Sequence, residues 1–111
     1  MAPPTQAVHV VKASLFRVLG HPARVRILEL LREHERSVGA LQAELGLDSG
    51  GTSQHLAALR RVGLVESRRE GTSVYYRVDD ARVFDLLETG RALVTRQLTE
   101  QQAILQDLEA S

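Results

Sequence analysis

The sequence predicts a mainly α-helical domain with one small β-hairpin: a winged helix-turn-helix of five helices and a two-stranded wing. Three observations predict it. Residues 48–63 read as a capped helix with arginines on one outer face. Residues 64–78 follow at once as two short strands about a Glu70-Gly71 turn. Upstream lie three apolar-periodic segments, the first and third closed by the glycine stop signals Gly20 and Gly46. A helix that fits the major groove, with a basic hairpin beside it, is a layout for binding duplex DNA.

Residues 1–6 carry two prolines and are expected to form a loose arm. Residues 7–20 place Val8, Val11, Leu15 and Val18/Leu19 at helical spacing, with Gly20 as the stop. His21-Pro22 opens a second helix, since proline's missing N–H is no loss in a first turn. Val25, Ile27, Leu28, Leu30 and Leu31 give it a broad apolar face, which makes it central to the core. Ser37 is a good N-cap for a third, shorter helix. Its buried stripe is Val38, Leu41 and Leu45, Gly46 ends it, and Leu47 is a core contact in the turn.

The next helix starts at Asp48 or Ser49, both good caps, and Gly63 ends it. Thr52, Leu56 and Leu59 share its inward face. Gly50, Gln54, Ala57 and Arg61 lie opposite, flanked by Ser53 and Arg60. Small residues among polar ones let a helix approach a flat surface closely. Gly50-Gly51 weakens the first turn by up to about 1 kcal/mol per residue, which predicts a turn that orders on DNA or on a partner.

Leu64–Arg69 and Ser73–Val78 read as strands, with Val74, Tyr76 and Val78 alternating against Ser73, Tyr75 and Arg77. Asp79-Asp80 is the expected N-cap of a last helix over residues 80–109. Its apolar positions include Leu87, Val94, Leu98 and Leu105, with a second seam through Leu86, Leu93, Ile104 and Leu108. About 28 residues of helix span roughly 42 Å, more than a small core can cover. The first and last helices are therefore expected to pair two copies, through Val8, Val11, Leu15, Leu87, Val94, Leu98 and Leu105. Two recognition helices then sit about 34 Å apart, one turn of DNA. The alternative is a last helix folded back on its own domain.

Composition bounds the reading. The 111 residues fit one domain, and their 43% hydrophobic and 25% charged content is that of an ordinary globular protein. No apolar run approaches a membrane span, and no export signal is visible at the start, so a cytoplasmic protein is expected. With no cysteine, disulfides and thiolate metal sites are excluded. There is no phosphate-binding glycine loop, His-Glu-x-x-His run or convincing acid–base pair, which argues against an enzyme. The formal charge is zero, yet residues 53–77 hold five Arg against two Glu, while residues 79–111 hold seven acids against three Arg. Phosphate attraction depends on that local field, not on the sum.

Three segments together, LGHPARVRILELL (Leu19–Leu31), TSQHLAALRRVGLV (Thr52–Val65) and RREGTSVYYRV (Arg68–Val78), resemble the ArsR/SmtB family of bacterial winged-helix repressors. The resemblance covers about residues 7–100 and implies a homodimer on operator DNA. It places Ser49, Ser53, Gln54, Arg60 and Arg61 of the recognition helix, and Arg68, Arg69 and Arg77 of the wing, on the DNA side. Gln54 is the candidate base reader, since its amide can pair bidentately with adenine, and the arginines are phosphate anchors. His21 and His55 match family positions but read as a cap and a structural hydrogen bond.

The resemblance breaks at the family's metal-sensing sites. The positions of a Cys-x-Cys pair hold Ser37 and Gly39, and those of a second, histidine-rich set hold Asp80, Arg82, Leu93 and Arg96. Neither site can form as usually built. His9 is the candidate for a non-standard site holding a divalent metal such as nickel or zinc as effector. The other reading is a regulator without its own sensor, served by a protein co-regulator that docks on the acidic last helix.

Overall fold

Residues 7–111 are described in a computed structural model of the chain, so the expected arm over 1–6 lies outside the described residues. The chain divides into two compact units, Met1–Asp80 and Ala81–Ser111. The first holds α1 (Val8–Leu19), α2 (Pro22–Glu33), β1 (Arg36–Ser37), α3 (Val38–Leu45), α4 (Ser49–Arg61), β2 (Glu66–Glu70) and β3 (Ser73–Arg77). The second is one helix, α5 (Arg82–Ala110).

Local chemistry sets the helix ends. The His21 ring accepts from the Ala23 N–H at 3.1 Å and caps α2, with Pro22 in its first turn. Ser37 Oγ accepts from the Ala40 N–H at 3.1 Å and caps α3, which closes on left-handed Gly46. Asp48 Oδ1 accepts from the Gly51 N–H at 2.6 Å and caps α4. A Cβ on Gly51 would meet that oxygen at 3.0 Å, so the glycine makes room for the cap. At the other end, Gly63 N–H donates to Arg60 O and Leu64 N–H to Leu59 O, both at 3.0 Å. This Schellman closure needs a residue at positive φ, and Gly63 sits at 79°.

The core follows the expected stripes on α2 and α4, except that Val25 is only half-buried. On α3 Leu41 alone is buried, while Val38, Leu45 and Leu47, all expected inside, are half-buried. Ile27, Leu28, Leu30 and Leu31 of α2, Leu41 of α3, and Leu56, Ala58 and Leu59 of α4 are buried, joined by Leu64 and Val65. Burying Leu56 and Leu59 contributes roughly 3–6 kcal/mol together, more than the about 2 kcal/mol that two glycines cost α4. α4 runs from Ser49 to Arg61. Thr52, fully buried, donates through Oγ1 to the Asp48 carbonyl at 2.9 Å. Among the described residues no buried side-chain polar atom lacks a partner.

Two further expectations need correction. The wing is part of a three-stranded antiparallel sheet of order β1-β3-β2, not a two-stranded ribbon. Arg36 pairs with Tyr76 and Ser37 with Tyr75, so the residue that caps α3 also extends the sheet. The hairpin itself runs from Glu66↔Arg77 to Glu70↔Ser73, with Gly71 at φ 62° in the turn. The last helix also starts later than expected: Ala81, not Asp79 or Asp80, stands at its N-cap position, and Asp79 Oδ1 accepts from Arg77 Nε at 2.7 Å instead.

In α5, every residue from Glu88 to Ala110 is exposed, as is Ser111 after it. Leu93, Val94, Leu98, Ile104, Leu105 and Leu108 are thus uncovered in the single chain. On α1, Val8, Val10, Val11 and Phe16 are likewise exposed, while Leu15 is half-buried, as is Leu87 of α5.

Candidate nucleic-acid interface

The α4 helix has two unlike faces. Thr52, Leu56 and Leu59 anchor its underside, and the spacing of 3.6 residues per turn sends Gly50, Ser53, Gln54, Ala57, Arg60 and Arg61 to solvent. Ser49 is exposed beside the Asp48 cap. The Gln54 amide makes no hydrogen bond to a described residue, and neither Arg60 nor Arg61 is ion-paired to one. The result is a polar row with a small residue at its middle and two cations at its end. A guanidinium pair of this kind suits phosphate oxygens, and a free amide suits a base edge.

The three wing arginines are not equivalent. Arg68 Nε donates to both Glu35 oxygens at 3.0 Å, and its Nη2 closes an ion pair with Glu35 Oε1. Its Nη1 donates to Glu70 Oε2 at 2.9 Å, and the guanidinium lies 4.7 Å from the centre of the Tyr75 ring. The hydrogen bond from Arg68 holds the Glu35 carboxyl below its ordinary pKa and secures the charge on Arg68 itself. Arg77 Nε donates to Asp79 Oδ1 at 2.7 Å and Nη2 to Glu66 Oε2 at 3.1 Å. Hydrogen bonding between the two carboxyls raises the Glu66 pKa and lowers that of Asp79, whose charge Arg77 also favours. Arg69 stands exposed with no ion pair to a described residue. The wing therefore offers one uncommitted cation, not three.

Known proteins match this arrangement. The family described as bacterial regulatory protein, arsR family, matches residues 21–67, which run from the α2 cap through α4 to the start of β2. The HTH-type transcriptional regulator Rv0081 of Mycobacterium tuberculosis is 42% identical over 107 residues, covering 96% of this chain and 94% of that protein. The chain belongs to the arsR family. It is a transcriptional regulator of the winged helix-turn-helix type.

Solved structures of this arsR family agree in fold. The crystal structure of Rv0081 superposes with a TM-score of 0.81 at 41% identity, over 87% of this chain and 98% of that one. The homodimeric winged helix-turn-helix DNA-binding domain Mb0332 of Mycobacterium bovis, solved by NMR, gives 0.76 at 34% identity, over 88% and 94%. A further relative, the biofilm growth-associated repressor of Agrobacterium fabrum, is 38% identical over 76 residues, 68% of this chain and 65% of that protein.

Where the family resemblance implied a thiolate pair, Ser37 Oγ is occupied as a helix cap and Gly39 has no side chain. Among the described residues no group of three or more His, Cys, Asp or Glu is gathered to hold an ion. His9 is exposed on the first turn of α1, and His34 Nδ1 lies 2.7 Å from the Glu35 carbonyl. No described helix is long and apolar enough to cross a membrane.

The residues not foreseen are those that hold the interface in place. Glu35 fixes Arg68 across 33 positions of sequence, and Arg24 reaches His55 across 31. No periodicity connects residues so far apart. The cap at His21 was legible because His-Pro stands at a helix start; its ring contact with His55 was not.

Proposed function

We propose that this regulator is a cytoplasmic, homodimeric repressor that occupies a two-fold symmetric operator, with α4 of each copy in a major groove. The observation that carries it is the uncommitted Gln54/Arg60/Arg61 row on α4, opposite a fully buried underside. Gln54 reads a base edge, Arg60 and Arg61 hold phosphates, and Arg69 adds a wing contact to the backbone. Arg68 and Arg77 shape the wing. The exposed apolar faces of α1 and of α5, taken separately, are the candidate dimer surfaces. A relative described as homodimeric and another named a repressor support the reading.

The test is selection of duplexes from a random pool by the full chain, followed by sedimentation of the complex and a promoter-reporter assay. The expected outcome is two chains per duplex on half-sites about 10 base pairs apart, with reporter output reduced. A one-chain complex, or no sequence enrichment, would count against it.

A further inference from the structure

The guanidinium of Arg24 ties three helices together. It extends from α2, and its Nε donates to His55 Nδ1 on α4 at 3.1 Å. Its Nη1 donates to the Val18 carbonyl in the last turn of α1 at 3.4 Å. The His21 ring lies against His55 with centroids 4.3 Å apart, and its own Nδ1 is occupied by the Ala23 N–H. His55 is on the same helix as the Gln54/Arg60/Arg61 row, one position after Gln54 and half-buried.

Arginine only donates, so Nδ1 of His55 must be an unprotonated acceptor, and the ring is neutral with its hydrogen on Nε2. A proton on Nδ1 would set one donor against another and place two positive charges side by side. Burial first, then His21 and Arg24, already lower the His55 pKa. The groups facing His55 are all of one sign or neutral. From α2 come Arg24 and the capping His21, and from α1 comes the Val18 carbonyl, through Arg24. Glu44 is the one charged residue of α3, and it is exposed. Burial, His21 and Arg24 are what act on the His55 ring, and none of them is a carboxylate that would welcome the proton.

We propose that the Arg24–His55 hydrogen bond is the strut that holds α4 in its DNA-binding position against α1 and α2, and that protonation of His55 releases it, so operator binding fails in mild acid while the fold persists. The proposal rests on the reading of α4 as the DNA-binding helix. Because the folded chain binds the His55 proton less tightly than an unfolded imidazole of pKa about 6.5, the strut is complete above that pH. It is lost as the pH falls through the lower, folded value. Simple electrostatics has the opposite sign, since acid adds positive charge to a protein and tightens phosphate binding. Weakening in acid is therefore a distinctive signature.

The experiment uses the full chain and a duplex selected from a random pool at pH 7.5. Binding is read by fluorescence anisotropy at pH 7.5 and 5.5, with circular dichroism confirming the helical fold at both. Wild type is expected to lose affinity severalfold at pH 5.5. His55→Gln keeps an acceptor for Arg24 but cannot titrate, and the loss between the two pH values is expected to disappear. Equal or tighter wild-type binding in acid, or the same loss in His55→Gln, overturns the proposal. Where His55→Gln does not fold, NMR titration of the wild-type His55 ring decides, and the α4 amide shifts are read in the same spectra. A midpoint below the ordinary value that the α4 amides follow supports the strut; a midpoint at or above it, or amides that do not follow, overturns it. Failure to select any duplex at pH 7.5 would instead sink the proposed DNA-binding function, and the titration would still judge the strut.

Discussion

Helix α4 and the wing follow one another in the chain, and both are rich in arginine, yet they handle their cations in opposite ways. Arg60 and Arg61 are exposed and unpaired within the described residues, whereas Arg68 and Arg77 each hold two carboxylates. Two of those carboxylates, Glu35 and Asp79, lie outside the basic segment itself. A charge count over residues 53–77 therefore overstates what the wing can offer to phosphate. An arginine is available for DNA only if nothing in the fold has matched its fork first.

That contrast can be broken or sharpened by substitution, and the effects should descend in size from the buried side outward. Leu56→Ala, on the underside of α4, is expected to cost about 2–5 kcal/mol of stability, because a fully buried leucine leaves a cavity. Thermal unfolding reads it directly, and an unchanged Tm would mean that α4 is not anchored there. Gln54→Ala touches only the outer face. It should leave Tm alone and relax preference at one base pair by about 1–3 kcal/mol in competition binding. An unaltered preference would remove Gln54 from the reading surface.

Arg69→Ala is expected to flatten the salt dependence of binding by roughly 0.9 units, one phosphate contact. No change in slope would leave the wing without any backbone contact. The smallest effect belongs to Glu35→Gln. The folded pKa of Glu35 lies below its unfolded one, so its bond to Arg68 contributes fully above the ordinary carboxylate range and is lost as pH falls through the folded value. The variant should match wild type in strong acid and be slightly less stable at neutral pH. A neutral-pH stability equal to wild type would show the latch to be idle.

What could be read from sequence was local. Ser37, Asp48, Gly46 and Gly63 set helix ends through bonds that span only a few residues, and the stripes on α2 and α4 obey one helical period. The third strand was illegible because two residues show no alternation, and one of them, Ser37, carried a cap signal as well. Nor does Asp79 stand at the cap: the last helix starts later, and the carboxylate accepts from an arginine two residues before it. On the candidate interface, exposure of the α4 row followed from periodicity. The division of the wing arginines did not, since Glu35 and Arg68 meet only when the chain folds.

The central claim is that phosphate anchoring lies on α4 and not on the paired wing arginines. The most direct measurement is the slope of log affinity against log salt for two double variants on one selected duplex. Arg60→Ala with Arg61→Ala is expected to reduce the slope by roughly 1.8 units, and Arg68→Ala with Arg77→Ala to leave it near the wild-type value. A flattened slope in the wing pair, with an intact slope in the α4 pair, would contradict the account.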